Sequence, residues 1–143
     1  MSRLFSYLSD MRGIFLNSQQ QQAVATSARH VLLLAVPGSG KTTVLTARIA
    51  YCITELHMNP SRILTLTFSR ETAADMQRRF SVLFPDLPPV HFSTIHSFCY
   101  SVLRQYAKRY RRPLPVLLAG ERAALKYRIL RDTVRRVTGE YPN

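Results

Sequence analysis

The sequence contains few acidic residues, few cysteines and no long apolar run, and each shortage excludes a class of protein. The two cysteines, Cys52 and Cys99, are too few for a disulfide framework and lack the spacing of a zinc site. The longest apolar stretch, Val31–Pro37, is far too short to span a bilayer. The N-terminal residues carry interspersed charges without a long apolar core, which is unlike a secretory signal. We therefore expect a cytoplasmic protein without membrane contact.

The shortage of acids leaves a strongly basic chain. Lysine and arginine contribute 20 residues against 8 aspartates and glutamates, so the net charge is +12 over 143 residues. Most of these cations are arginines, whose planar fork suits phosphate. A basic excess of this size attracts polyanions such as nucleic acid. Charge alone leaves a solvated basic surface with no specific partner equally open. The 46% hydrophobic content is ordinary for a folded domain.

Hydrophobic periodicity predicts alternating strands and helices. The predicted strands are Val31–Ala35, Arg62–Phe68 and Val90–Ser93. The predicted helices are Gln19–Thr26, Thr42–His57, Arg70–Leu83, His96–Tyr110 and Gly120–Thr138. The order β-α-β-α-β-α predicts an α/β fold, with a parallel sheet and crossover helices. The first strand is a bare apolar run, which is typical of a strand buried on both faces.

A glycine-rich loop joins the first predicted strand to the next helix. The loop consists of Ala35, Val36, Pro37, Gly38, Ser39, Gly40, Lys41 and Thr42. Its glycines let backbone N–H groups approach phosphate oxygens, and the following helix adds the positive end of its dipole. Lys41 would reach the β- and γ-phosphates, and the Thr42 hydroxyl would complete a Mg²⁺ site. We include Thr43 in this predicted nucleotide site, which would bind a nucleoside triphosphate.

The segments around the loop resemble superfamily 1 DNA helicases of the UvrD/Rep type. Gly38–Ile53 resembles their first helicase motif, and that family often tolerates alanine at the position of Ala35. Leu16–Val24 looks like the family's Q-motif, and this resemblance implies that Gln20 reads the adenine of ATP. An amide suits that task, because it can donate to N7 of adenine and accept from the N6 amine.

Two later segments resemble motifs of the same family that contact single-stranded DNA. Leu66–Met76 is similar to motif Ia, and Ser93–Phe98 is similar to motif Ib. The resemblance implies that DNA is contacted by Thr67, Phe68, Ser69, Arg70, Thr94, His96 and Ser97. Judged by residue type alone, Phe68 is equally well interpreted as a core aromatic, and His96 as a helix-start residue.

Hydrolysis of ATP also needs an acidic pair that holds Mg²⁺ and activates water. No two acids of this sequence are adjacent, and none directly follows an apolar strand. The resemblance therefore implies an incomplete RecA-like sheet of the P-loop NTPase class. We expect an N-terminal extension at 1–15, a partial ATP-binding domain at 16–112 and the start of an inserted helical subdomain at 113–143. We expect weak ATP binding and no turnover by this chain alone.

Three functions remain open from the sequence. The first is the N-terminal part of an ATP-dependent DNA helicase, with ATP, Mg²⁺, single-stranded DNA and the remainder of a split helicase as partners. A truncated reading frame or a deliberately shortened chain would look the same. The second is a non-catalytic module that binds nucleotide or DNA. The third is an unrelated P-loop kinase or transferase, in which Gln20 and Thr67–Met76 would have no role.

Overall fold

A computed structural model describes residues 2–114 and 123–139 of the chain. These residues form six helices and two strands: α1 (Arg3–Arg12), α2 (Ser18–Ala25), α3 (Lys41–Thr54), β1 (Leu64–Thr67), α4 (Arg70–Leu83), β2 (His91–Thr94), α5 (Ile95–Arg109) and α6 (Ala123–Thr138). The chain divides into two compact units, Met1–Cys99 and Tyr100–Asn143. No helix of the described residues is long and apolar enough to cross a membrane.

The two strands form a small parallel sheet. Leu64 is aligned with His91 at one end of the pairing, and Thr67 with Thr94 at the other. Parallel neighbours need a crossover connection, and α4 provides it. The side chain of Ser69 accepts a hydrogen bond from the backbone N–H of Thr72 and so caps the start of α4. The α/β class and the parallel pairing predicted from the sequence are confirmed.

The first predicted strand, Val31–Ala35, is not a strand in the structure. Its residues pair with no other described segment, and the side chains of Leu32 and Leu34 are 81% and 82% exposed. A strand that is buried on both faces needs hydrogen-bonding neighbours and helices around it. Within residues 2–114 and 123–139 the sheet has two strands only, so the apolar run has nothing to pair with.

Helix α1 was not predicted, although its sequence carries both end signals. The Ser2 hydroxyl caps its start, and Gly13 ends it in the left-handed conformation, with φ of 63°. Leu4 and Leu8 lie one turn apart and are buried in the core. The Tyr7 hydroxyl donates to the carbonyl of Leu83, the last residue of α4, at 3.0 Å. The N-terminal residues therefore belong to the packed part of the first unit.

The core of the first unit lies among α1, α2, α3 and the end of α4. Its buried apolar residues are Leu4, Leu8, Leu16, Val24, Val44, Ala47, Ile49, Ala50, Phe80, Phe84 and Val90. The rings of Phe80 and Phe84 lie 5.5 Å apart, and Phe80 also contacts Phe92 of β2 at 6.0 Å. This packing fixes the start of α3, and with it the glycine-rich loop, against the Q-motif helix α2.

In the second unit, the predicted C-terminal helix is confirmed as α6, while residues 120–122 of that prediction lie outside the described part of the chain. The other predicted helices are confirmed with ends shifted by at most a few residues. The domain limits at 15/16 and 112/113 stay predictions.

Candidate nucleotide loop and nucleic-acid cleft

The glycine-rich loop bends through two left-handed glycines. Gly38 has φ of 79° and Gly40 has φ of 83°, a region that residues with a Cβ rarely adopt. Gly40 is also the N-cap of α3, and no side chain caps this helix end. The first N–H groups of a helix have no partner within the helix. The loop therefore leads into a helix start whose donors and positive dipole end suit an anion.

The ammonium of Lys41 lies across the ends of the loop. Its Nζ donates to the carbonyl oxygens of Ala35 and Val36, each at 2.7 Å. A Cβ built on Gly38 would meet no heavy atom within 4 Å, so the space beside Gly38 is open. The uncapped start of α3 and the neighbouring ammonium suit the phosphate tail of a nucleotide, provided that Lys41 exchanges the carbonyl oxygens for phosphate oxygens.

Gln20 connects the Q-motif helix to the loop. Its Oε1 accepts from the backbone N–H of Asn17 at 3.0 Å, and its Nε2 donates to the carbonyl of Ser39 at 3.1 Å. The first bond belongs to a capping box, because the Asn17 side chain accepts in turn from the N–H of Gln20. A Cβ on Gly40 would lie 3.3 Å from Nε2. Both ends of the amide are thus engaged, and reading of adenine by Gln20 stays a prediction.

A Mg²⁺ ion would find one protein ligand at this loop, the hydroxyl of the half-buried Thr42. Among the described residues, no three carboxylate, histidine or cysteine side chains come together in a way that could hold a metal. Mg²⁺ in nucleotide sites is held largely by phosphate oxygens and water, with one or two protein ligands. The residues therefore fit Mg²⁺ as a companion of bound triphosphate and do not form an independent metal site.

Sequence reasoning missed two cations beside the start of α3. Arg78 and Arg79 of α4 line a cleft of about 300 Å³ together with Thr42 and Thr43. Asp75 binds both arginines, and the hydrogen bonds from Arg79 and then Arg78 hold its pKa below the ordinary value. One carboxylate thus offsets part of their positive charge. The sequence offers no signal for this position, because it depends on how α3 and α4 pack.

Three of the seven predicted DNA contacts, Arg70, Thr94 and Ser97, line one cleft at the end of the sheet, and the other four do not line it. Because β1 and β2 are parallel and Thr67 is aligned with Thr94, both DNA-contact segments leave the sheet at the same edge. Arg70 of α4 and Ser97 of α5 line one cleft of about 310 Å³. The remaining lining residues are Ala73, Ala74, Gln77, Phe92, Ser93 and Thr94. We call this the sheet-edge cleft. It places residues from both predicted motifs around one opening.

Several hydroxyls predicted to contact DNA already have partners within the chain. The Thr67 hydroxyl donates to the carbonyl of Ser69 at 2.9 Å. The Thr94 side chain is buried, accepts from the backbone N–H of Ser97 and donates to its hydroxyl at 2.9 Å. Together with the Ser69 cap on α4, these bonds show that the hydroxyls hold the starts of two helices. Their contact with DNA stays a prediction.

Four of the predicted contacts are exposed: Phe68, Arg70, His96 and Ser97. The ring of Phe68 is 88% exposed, which excludes the interpretation as a core aromatic. An exposed ring next to a cation matches the way in which proteins hold single strands, by stacking on bases and pairing with phosphate. Glu71 lies beside them, and its pKa is held below the ordinary value by its own backbone N–H and by the Ser69 hydroxyl. Its carboxylate is therefore negative at neutral pH and would weaken phosphate binding.

Comparison with known proteins finds similarity over most of the chain. The family model described as UvrD/REP helicase N-terminal domain matches residues 16–137. The chain is 44% identical over 101 residues to the ATP-dependent DNA helicase PcrA of Bacillus subtilis. The aligned segment is 70% of this chain and 14% of that protein. It is 45% identical over 94 residues to the ATP-dependent DNA helicase UvrD1 of Mycobacterium leprae, covering 64% of this chain and 12% of the relative.

PcrA of Staphylococcus aureus (strain Mu50) is 41% identical over 95 residues, or 66% of this chain and 13% of the relative. The matched part is thus about one eighth of the length of these relatives. These relatives are all named ATP-dependent DNA helicases, which argues against an unrelated P-loop kinase or transferase. Because the family model covers most of its residues, the chain belongs to the UvrD/REP helicase N-terminal domain family.

Proposed function

We propose that this chain supplies the ATP-binding loop and part of the single-stranded DNA surface of an ATP-dependent DNA helicase. The loop supports the nucleotide part of this proposal most directly: its two left-handed glycines lead into the uncapped start of α3, with the Lys41 ammonium beside them. The relatives are named ATP-dependent DNA helicases, which supports ATP as the nucleotide and DNA as the track.

The residues at positions 35–43 have distinct parts in this proposal. Backbone N–H groups of the loop and of the first turn of α3 donate to the phosphate oxygens, and Lys41 leaves the carbonyls of Ala35 and Val36 to pair with them. The Thr42 hydroxyl orients the Mg²⁺ that neutralises the phosphates. Gln20 selects adenine, which requires its Nε2 to leave the Ser39 carbonyl.

Single-stranded DNA occupies the sheet-edge cleft in this proposal. Arg70 pairs with phosphate, Phe68 stacks on a base, and His96 and Ser97 donate to the backbone. Thr67, Ser69 and Thr94 shape the cleft through their helix-start hydrogen bonds and reach DNA only if those bonds are shared. In the complete helicase, ATP hydrolysis drives translocation along the strand and unwinding.

Binding without turnover is the activity proposed for the 143-residue chain. An acidic pair able to activate water is missing from the sequence, and no metal-binding cluster exists among the described residues. Hydrolysis would need the remainder of the helicase, either joined to this chain or supplied as a separate partner. The proposed place of action is the cytoplasm.

A binding measurement on Lys41→Ala tests the nucleotide part. A charge-assisted hydrogen bond is worth about 1.5–3 kcal/mol, so the affinity for ATP should fall by about 10- to 150-fold. Fluorescence anisotropy with labelled ATP measures this, and circular dichroism checks that helix content is kept. Arg29→Ala, the same charge loss at an exposed site outside the loop, is the control. Equal ATP affinity of wild type and Lys41→Ala would refute the nucleotide part of the proposal. Rapid ATP turnover by the wild-type chain would refute the proposed binding without turnover.

A further inference from the structure

The last turns of α5 form a second basic cleft. It has a volume of about 510 Å³ and is lined by Ser101, Arg104, Gln105, Ala107, Lys108, Arg112 and Leu114. We call it the α5 cleft. Of the lining residues that the structure describes, three are cations, none is acidic and none belongs to a segment that resembles a helicase motif. The described lining residues all lie between positions 101 and 114, in the second unit.

Two structural features bring the three cations to one opening. Arg104 and Lys108 are four residues apart on α5 and therefore lie on the same face, one turn apart. Arg112 follows the end of the helix and is turned back by Arg111, whose φ of 49° lies in the left-handed region that non-glycine residues rarely adopt. The backbone N–H of Arg112 then donates to the carbonyl of Ala107 at 2.9 Å, a Schellman-type ending. The third cation is thus fixed next to the other two.

No acidic side chain at positions 2–114 or 123–139 pairs with the cations of the α5 cleft, Arg104, Lys108 and Arg112. The sequence contains no acid between Asp86 and Glu121. The negative end of the α5 dipole offsets part of the charge, but three neighbouring cations still repel one another. A bound polyanion would relieve this repulsion.

The lining residues indicate which part of a polyanion is bound. Arginine forks and a lysine ammonium suit phosphate oxygens. No aromatic side chain is among the described residues that line the cleft. The rings of Tyr106 and Tyr110, 4.6 Å apart and tilted by 41°, lie on the opposite side of the helix, given about 100° of rotation per residue. The described lining therefore offers bases no ring to stack on.

We propose that the α5 cleft binds the phosphodiester backbone of DNA, without sequence preference, in addition to the sheet-edge cleft. This inference rests on the proposed function for the identity of the polyanion. It assigns to Arg104, Lys108 and Arg112 a role that the motif resemblance does not give them.

The chain offers a matched pair of double variants as a test. Arg104→Gln/Lys108→Gln removes two charges that line the cleft, and Arg109→Gln/Arg111→Gln removes two charges from the same helix end that do not. Affinity for a labelled oligothymidine is measured by anisotropy between 50 and ~300 mM salt. For single strands the slope of log K against log salt changes by about 0.7 per phosphate contact.

We call Arg104→Gln/Lys108→Gln the lining pair and Arg109→Gln/Arg111→Gln the non-lining pair. We expect the lining pair to reduce the salt slope by about 1.4 and to weaken DNA binding roughly 20-fold at ~0.1 M salt. The non-lining pair should change both much less. Arg104→Lys keeps the charge and should keep the wild-type slope. Circular dichroism of each variant shows whether α5 is still helical. Equal losses for the two double variants, at equal helicity, would overturn the proposal, because they would show a general charge effect.

Arg70→Gln separates this inference from the proposed function. If Arg70→Gln weakens DNA binding while the lining pair matches the non-lining pair, the α5 cleft is refuted and the helicase proposal stands. If the wild-type chain does not bind DNA at all, both are refuted. Vesicles with anionic lipid serve as a further arm: if the lining pair impairs vesicle binding more than DNA binding, the cleft is a lipid site and the proposal is wrong.

Discussion

Gln20→Glu separates two roles of one amide. In the structure Oε1 accepts from Asn17 at 3.0 Å, and Nε2 donates to the Ser39 carbonyl at 3.1 Å. Glutamate keeps an acceptor for the cap, but at neutral pH it has no donor, so a carboxylate oxygen would face the carbonyl of Ser39. Gln20→Ala removes both bonds. The two variants therefore share the loss of the loop contact and of adenine reading, and differ in the helix cap.

The expected magnitudes follow from these bonds. A bidentate amide–adenine pair discriminates against the wrong base by about 1–3 kcal/mol, which corresponds to a factor of roughly 5 to 150 in affinity. Both variants should lose this preference, so that ATP and GTP bind about equally. The free energy of unfolding should fall by about 1 kcal/mol more in Gln20→Ala than in Gln20→Glu, because only alanine also loses the cap bond.

Competition of unlabelled ATP and GTP against a labelled nucleotide gives the selectivity, and urea denaturation gives the stability. Gln19→Glu is the matched control, since Gln19 is an exposed neighbour on the same helix. A wild-type preference for ATP in Gln20→Glu would refute the assignment of adenine reading. A similar loss in Gln19→Glu would show that added negative charge, and not the amide at position 20, is responsible.

Three further results are expected. Gly38→Ala and Gly40→Ala should each lower the free energy of unfolding by about 1 kcal/mol, because both need positive φ. Gly40→Ala should lower the free energy of unfolding more than Gly38→Ala, because its Cβ would lie 3.3 Å from Nε2 of Gln20. Equal losses of stability in urea denaturation would contradict that contact. The hydrogen bond from the Ser2 hydroxyl, and then that from the Leu4 N–H, hold the pKa of Glu55 below its ordinary value. Because the pKa of Glu55 is lower in the folded state than in the unfolded state, its ionised carboxylate stabilises the fold above the ordinary glutamate pKa. This stabilisation is lost as the pH falls through the folded-state pKa, so acid should release α1. Glu55→Gln should abolish that step in a circular dichroism titration, and an unchanged step would exclude Glu55 as its cause. Because Val31–Ala35 is unpaired, the isolated chain should melt over a broad range. A sharp, cooperative calorimetric transition would argue otherwise.

Helices whose ends are marked by capping residues could be predicted from the sequence. The bounds of α4 agree with the prediction, because a serine cap starts the helix and Pro85 soon follows its end. Helix α1 carries equally clear ends at Ser2 and Gly13 and was predictable on the same grounds.

The failure at Val31–Ala35 has a different cause. An apolar run of strand length indicates burial, but pairing depends on a neighbour elsewhere in the chain, and the described residues contain none for it. The candidate sites likewise combine features that local sequence predicts with features that depend on packing. The conformation of the loop follows from its glycines, whereas the contact of Gln20 with Ser39 and the convergence on the α5 cleft depend on packing and on an arginine in the left-handed region.

The helix-start hydroxyls at the sheet edge complicate the interpretation of genetic data. Replacing Ser69 or Thr94 would fray a helix even if neither ever touched a nucleic acid, so a defective mutant at these positions identifies no contact. Phe68 and His96 have exposed side chains, and their substitution would report on recognition with little structural disturbance. A mutational survey of this edge should therefore weight those two positions above the conspicuous serine and threonine residues around them.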